Sequence, residues 1–182
     1  NKDLKAGDQI DVLFPEGKFQ LKTDANNTAN YMAFAAGSGI TPIMSMIKTV
    51  MIEETNSKFV LVYGNKNTSE TMFFKELLEL QTVHPERLFL EFVYSRENTK
   101  GAQFGRIDKS IVNFAVKNKF KDFDFSNFYL CGPESMINTV KEVLTENNVD
   151  ASTIHYELFT SNTVTSVSSV EGIATIDVII DD

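Results

Sequence analysis

The sequence predicts an α/β domain: a five-stranded parallel sheet, doubly wound with helices on both faces. Three observations predict it. From residue 31 to residue 158, strand-like and helix-like runs alternate, the pattern of successive βαβ units. Two of the strand-like runs, FVLVYG at 59–64 and NFYLC at 127–131, are almost wholly apolar, as strands covered on both faces must be. Two helix-like runs open on a proline directly after a strand, at Thr41-Pro42 and Gly132-Pro133. That arrangement sets two helix N-termini on the carboxyl edge of the sheet, where open α/β sheets bind their ligands.

Taken in order, residues 4–24 read as β-rich. Ile10, Val12 and Phe14 alternate, Pro15-Glu16-Gly17 turns the chain, and Phe19 and Leu21 follow. The polar stretch Asp24–Asn30 is a candidate boundary. Strands are expected at 31–36, 59–64, 88–94, 127–131 and 153–158, and helices at 42–54, 69–82, 108–118 and 134–147. The first helix carries Ile43, Met44, Met46, Ile47, Val50 and Met51 at helical spacing, and the last carries Met136, Ile137, Val140, Val143 and Leu144. Stripes of this kind are core. Asn147-Asn148 can end the last helix. The Ser-, Thr- and Val-rich stretch 160–172 reads as an extended linker. Ala174–Ile180 reads as one more strand, either opening a further domain or edging the main sheet.

Composition narrows the function classes. The chain has 182 residues, enough for one ordinary domain, and begins with asparagine, as a segment of a longer protein would. A net charge of −8 argues against a nucleic-acid partner. No apolar run is long enough to span a bilayer. The single cysteine, Cys131, excludes an internal disulfide and suits a reducing cytoplasm. His84 and His155 stand alone, so no metal site is expected.

The chemistry concentrates at the strand ends. Gly37-Ser38-Gly39-Ile40-Thr41-Pro42 joins the first strand to the first helix. Two glycines allow a tight turn and a close approach of backbone to phosphate. Thr41 can cap the helix and Pro42 suits its first turn. A plain turn between core elements would look the same. The second strand ends Tyr63-Gly64-Asn65-Lys66 and offers no carboxylate to clamp a ribose. The third ends Tyr94-Ser95-Arg96. A hydroxyl and a planar guanidinium suit a 2′-phosphate, although a solvated surface turn reads equally well. Arg106 is a second cation within the same reach, or a solvated loop charge. Cys131 ends the fourth strand. It is either an inert buried thiol or one acidified by the helix N-terminus beside it.

Several motifs together carry a resemblance. GSGITP at 37–42, VYGNKN at 62–67, YSREN at 94–98, CGPESM at 131–136 and HYELF at 155–159 occur in the order and spacing of the ferredoxin–NADP reductase superfamily. Residues 4–21 resemble the end of that family's flavin-binding β-barrel. ATIDVII at 174–180 resembles the entry to a plant-type ferredoxin domain, as in the reductases of phenylacetyl-CoA oxygenases. The resemblance implies a ferredoxin reductase-like NADP-binding domain at 29–160. It also implies a barrel remnant at 1–28, a linker at 161–173 and a truncated ferredoxin-like strand, or an edge strand, at 174–182.

Roles follow by position. Gly37, Ser38, Gly39, Ile40, Thr41 and Pro42 would hold the pyrophosphate of NADP(H), with NAD(H) still open. Ser95 and Arg96, with Arg106, would hold the 2′-phosphate. Cys131, with Gly132 and Pro133, would line the nicotinamide pocket. Cys131 and Glu157 are the expected catalytic residues, and Phe159 the aromatic expected near the flavin. FAD and a 2Fe–2S cluster are expected only in the intact protein, since the barrel's flavin motif and the cluster cysteines are missing from the chain. The expected partners are the protein's own flavin and ferredoxin domains and an oxygenase or ferredoxin acceptor. A non-catalytic nucleotide-binding or docking module is the alternative.

Overall fold

In the computed structural model of the chain, residues 5, 7–14 and 17–158 are described. The compact unit that carries the site begins at Phe19, and the residues before it belong to a separate unit. Of that separate unit, the described residues hold a turn closed by Lys5 N–H donating to Asp8 Oδ2 (2.8 Å) and a single bridging residue at Val12. The expected linker and terminal strand, and Phe159, lie outside the described residues.

The larger unit alternates as the sequence predicts. Its elements are β1 (Asn30–Ala36), α1 (Ile40–Glu53), β2 (Lys58–Asn65), α2 (Phe74–Val83), β3 (Leu88–Tyr94), β4 (Gln103–Phe104), α3 (Lys109–Asn113), β5 (Phe125–Gly132), α4 (Glu134–Glu146) and β6 (Ile154–Leu158). The strands form one sheet in the order β4-β3-β2-β1-β5-β6, and every pairing is parallel. The sheet therefore has six strands rather than five. The added strand, β4, is two residues long and pairs Val93 with Gln103 and Tyr94 with Phe104. So short a pairing leaves no hydrophobic run in the sequence.

Both faces of the sheet are covered. Tyr31, Ala33 and Ala35 of β1, with Phe59, Leu61 and Tyr63 of β2, pack against α1 and Leu77 of α2. Their neighbours in sequence, Met32, Phe34, Val60 and Val62, pack against α3 and α4. Side chains alternate between faces along a strand. Here both faces are dry, so β1 and β2 read as continuous apolar runs.

The chain leaves β1 in one direction to build β2, β3 and β4, then crosses to the other side of β1 for β5 and β6. The order reverses between β1 and β5, which opens a crevice at their carboxyl ends.

Two devices hold this frame. The Arg87 guanidinium donates to the carbonyls of Met51 and Glu54, both at 2.8 Å. It thereby satisfies acceptors that the end of α1 leaves open. Fully buried Glu54 accepts from Tyr31 Oη (3.0 Å) and from Asp24 N–H (3.0 Å). This anchors the segment entering β1, where Phe19 and Leu21 also pack on the core.

Candidate functional site

The glycine turn takes a different form from the one expected. Gly37–Gly39 is one turn of 3₁₀ helix that runs straight into α1, which begins at Ile40. Gly39 occupies the N-cap position in helical conformation, and no side chain caps the helix. Thr41 is therefore not the cap. Its hydroxyl donates to Ser38 O at 3.0 Å, and Pro42 is the third residue of the helix. The 3₁₀ turn draws the helix start back by two residues. The N–H of Ile40 already serves the carbonyls of Gly37 and Ser38, so the donors left over at this end belong to the glycine turn itself.

Each glycine there answers a separate demand. Gly37 adopts φ 53°, the left-handed region, with nothing within 4 Å of where a side chain would start, and its carbonyl accepts from Tyr63 Oη at 3.0 Å. A left-handed residue beside open space lets a ligand approach the backbone closely. Gly39 lies against β5: a Cβ there would overlap the Cys131 carbonyl and come within 2.9 Å of Gly132 N. At the second helix, α4 starts at Glu134, the residue expected, and Pro133 is its N-cap.

Between these two helix starts lies a cavity of about 590 Å³, a size that suits a small-molecule ligand. Ala36 and Gly37 line one side, and Pro133, Ser135, Met136 and Thr139 another. The end of β2 and the loops after β2, β3 and β4 supply Asn65, Lys66, Ser95, Arg96, Arg106 and Asp108 between them. Of the residues singled out from sequence, Gly37, Ser95, Arg96, Arg106 and Pro133 meet in this one cavity. Ser38, Gly39, Ile40, Thr41, Pro42 and Gly132 do not line it, and of these Gly39, Ile40 and Gly132 are buried. Cys131 and Glu157 face each other in register across β5 and β6 and also lie outside the lining.

Backbone contacts hold the basic residues in place. Ser95 N–H donates to Asn65 O (3.0 Å), Arg96 N–H to Lys66 O (2.9 Å) and Gly105 N–H to Tyr94 O (2.8 Å). The Arg96 and Arg106 side chains are exposed, and neither forms an ion pair among the described residues. Asn65 Nδ2 is shielded from solvent and makes no hydrogen bond among the described residues. An orphaned donor on the cavity wall, three cations and an open glycine turn together fit a phosphorylated nucleotide.

Sequence reasoning missed Asn65, Lys66, Glu70, Asp108, Ser135 and Thr139. Glu70 was hidden by a wrong helix boundary, because α2 begins at Phe74 rather than 69. Residues 66–73 form a loop instead. Glu70 N–H donates to Asn67 Oδ1 (2.8 Å), Thr71 Oγ1 to Asn67 O (2.8 Å) and Thr68 N–H to Glu97 Oε2 (2.8 Å). The loop delivers a carboxylate to the cavity that the end of β2 lacks. A search for such loop hydrogen bonds on Asn67 would have found it.

Of the two readings of Cys131, the buried thiol agrees with the structure and the acidified one does not. The residue is 0% exposed, and burial, with Glu157 adding its charge, pushes the thiol up to about 11. Desolvation outweighs the helix N-terminus. Because folding favours the neutral thiol, its contribution is present below the ordinary thiol range and is lost as pH rises through about 11. We expect a thiol reagent at pH 8 to label Cys131 in the folded chain at least about a hundredfold more slowly than in urea. Equal rates would contradict the buried placement.

Comparisons with known proteins agree with this geometry. Residues 34–142 match the model of the oxidoreductase NAD-binding domain. A subunit of the 1,2-phenylacetyl-CoA epoxidase of Escherichia coli is 32% identical over 86% of this chain and 44% of its own length. The ferredoxin reductase component of 3-ketosteroid-9-alpha-monooxygenase from Rhodococcus rhodochrous is 28% identical over 87% of this chain and 41% of its own. The chain thus spans less than half the length of these relatives. Among solved structures, the cytochrome b5 reductase domain of Ulva prolifera nitrate reductase shares the fold. Its TM-score is 0.70 at 20% identity, over 86% of this chain and 63% of that one.

Proposed function

Since the chain belongs to the oxidoreductase NAD-binding domain family, within the ferredoxin–NADP reductase superfamily, we propose that it is the part of a flavin-dependent reductase that holds NADP(H). The observation that carries this reading is the meeting of Gly37, Ser95, Arg96, Arg106 and Lys66 on one cavity at the β1/β5 reversal of the sheet.

In this reading the glycine turn takes the pyrophosphate, through backbone donors at the head of α1. Ser95, Arg96 and Arg106 take the 2′-phosphate. Arginine suits that task because its planar donors grip phosphate oxygens in pairs. Asn65 Nδ2 gains the partner it lacks. NAD(H) would use the same cavity without engaging the arginines. Pro133 lines the cavity, Cys131 and Gly132 are buried behind it, and Glu157 stands beside Cys131 on β6. With its proton retained, Cys131 is an uncharged group behind the cavity rather than a thiolate.

When bound, NADPH supplies a hydride; in the intact protein a flavin would accept it and release single electrons to an iron–sulfur centre or ferredoxin. The chain's own contribution is to bind and orient. The two relatives named above, one from an epoxidase and one the reductase component of a monooxygenase, support an oxygenase as the electron acceptor. Residues 1–28 would then close a flavin barrel and 174–182 open a ferredoxin-like domain. A cytoplasmic setting suits the single buried cysteine. Among the described residues, no helix is long and apolar enough to cross a membrane. The test is a titration of the chain with adenosine 2′,5′-bisphosphate, the phosphorylated half of NADP, followed residue by residue by NMR.

A further inference from the structure

The cavity that offers three cations to a phosphate also contains two carboxylates, Glu70 and Asp108, of which Asp108 is engaged in accepting from Ile111 N–H at 2.9 Å. Lys66 Nζ lies 2.7 Å from Glu70 Oε2. The other oxygen, Oε1, accepts from Asn67 Nδ2 at 2.9 Å, and Asn67 Oδ1 accepts in turn from the backbone of Glu70. The Glu70 carboxylate is therefore tied to its own loop. Lys66, Glu70, Ser95, Arg96 and Arg106 all line the same cavity.

Resting on the NADP(H) reading above, we propose that Glu70 is the specificity-determining residue of this site: it holds Lys66 away from the 2′-phosphate and lowers the affinity for phosphorylated ribose. The side chains of Lys66 and Glu70 are 53% and 48% exposed, and an ion pair so open to water is weak and exchanges readily. An incoming phosphate competes with Glu70 for Lys66 and meets the like charge that Asn67 holds in the loop. Glu70 remains ionised throughout the working pH range. Hydrogen bonds from Lys66 and Asn67, with the nearby charge of Arg96, hold its carboxyl below the usual carboxylate range. A nucleotide without the 2′-phosphate makes no demand on Lys66 and is indifferent to the pair. The consequence is a site that accepts NADP(H) with moderated preference and tolerates NAD(H).

Calorimetric titration of the full chain with adenosine 2′,5′-bisphosphate and with AMP tests this at low salt. We expect Glu70→Gln to tighten the bisphosphate about fivefold, as release of one cation toward a screened dianion should. We expect AMP to change less than about twofold. Adding Lys66→Ala to Glu70→Gln should erase the gain, because the freed lysine is its source. An unchanged bisphosphate affinity in Glu70→Gln overturns the proposal. So does a loss of AMP affinity in that variant, which would make Glu70 a ribose ligand instead. Both of those outcomes leave the nucleotide reading standing. If neither ligand binds the wild-type chain or the variants, the nucleotide reading fails and this proposal falls with it.

Discussion

Gly39→Ala is expected to destabilise the chain by about 3 kcal/mol, at the upper end of what overpacking costs. The new methyl group would overlap the Cys131 carbonyl and crowd Gly132 N. These are backbone atoms of a central strand. Cys131 is paired with Ala35 on one side and with Glu157 on the other, so β5 cannot retreat without disturbing two ladders. A flexible side chain would yield to the intrusion, whereas a strand hydrogen-bonded on both edges does not. Gly37→Ala makes the informative comparison. It meets open space but must hold φ 53°, which costs only about 1–2 kcal/mol. Urea unfolding of the two variants should therefore rank Gly39→Ala well below Gly37→Ala. A Gly39→Ala chain as stable as the wild type would show that α1 does not lie against β5 in this way.

Arg96→Ala is expected to weaken adenosine 2′,5′-bisphosphate by about 10- to 100-fold, the loss of a charge-assisted contact worth about 1.5–3 kcal/mol. AMP should change by less than about threefold, because it lacks the 2′-phosphate proposed for Arg96. The selectivity follows from the placement of the residue. The Arg96 backbone is fixed by its hydrogen bond to Lys66 O, and its side chain has no ion-pair partner among the described residues to compete with a ligand. Removing it should leave the scaffold intact, which the thermal unfolding of the unliganded variant checks. Equal losses for both ligands would assign Arg96 to some other part of the nucleotide.

The strands were legible because their burial is unusual. Runs such as FVLVYG are dry on both faces, so composition alone marks them, and their ends fall within two residues of expectation. β4 was not legible, because two residues, Gln103 and Phe104, carry no periodicity. The helix starts misled for a local reason. Pro42 suggests a first helical residue, yet the preceding Gly-Ser-Gly itself coils and moves the start to Ile40. At α2, the run from 69 looks helical, but Asn67 and Glu97 claim its backbone donors, and Phe73 turns left-handed at φ 57°. Side-chain competition of this sort decides many helix boundaries. Ser95, Arg96 and Arg106 were legible as site candidates because strand ends in a parallel sheet converge on one edge. The choice between a buried and an acidified Cys131 was not, since a position at a strand end does not reveal which neighbours cover it.

The central claim is that one cavity at the carboxyl edge of this sheet receives a 2′-phosphorylated nucleotide. The measurement that tests it most directly is the residue-resolved NMR titration with adenosine 2′,5′-bisphosphate. Saturable shifts are expected at Gly37, Asn65, Lys66, Ser95, Arg96 and Arg106, the walls of that cavity. Shifts gathered at the opposite edge of the sheet, or none from a folded chain at millimolar ligand, would contradict it.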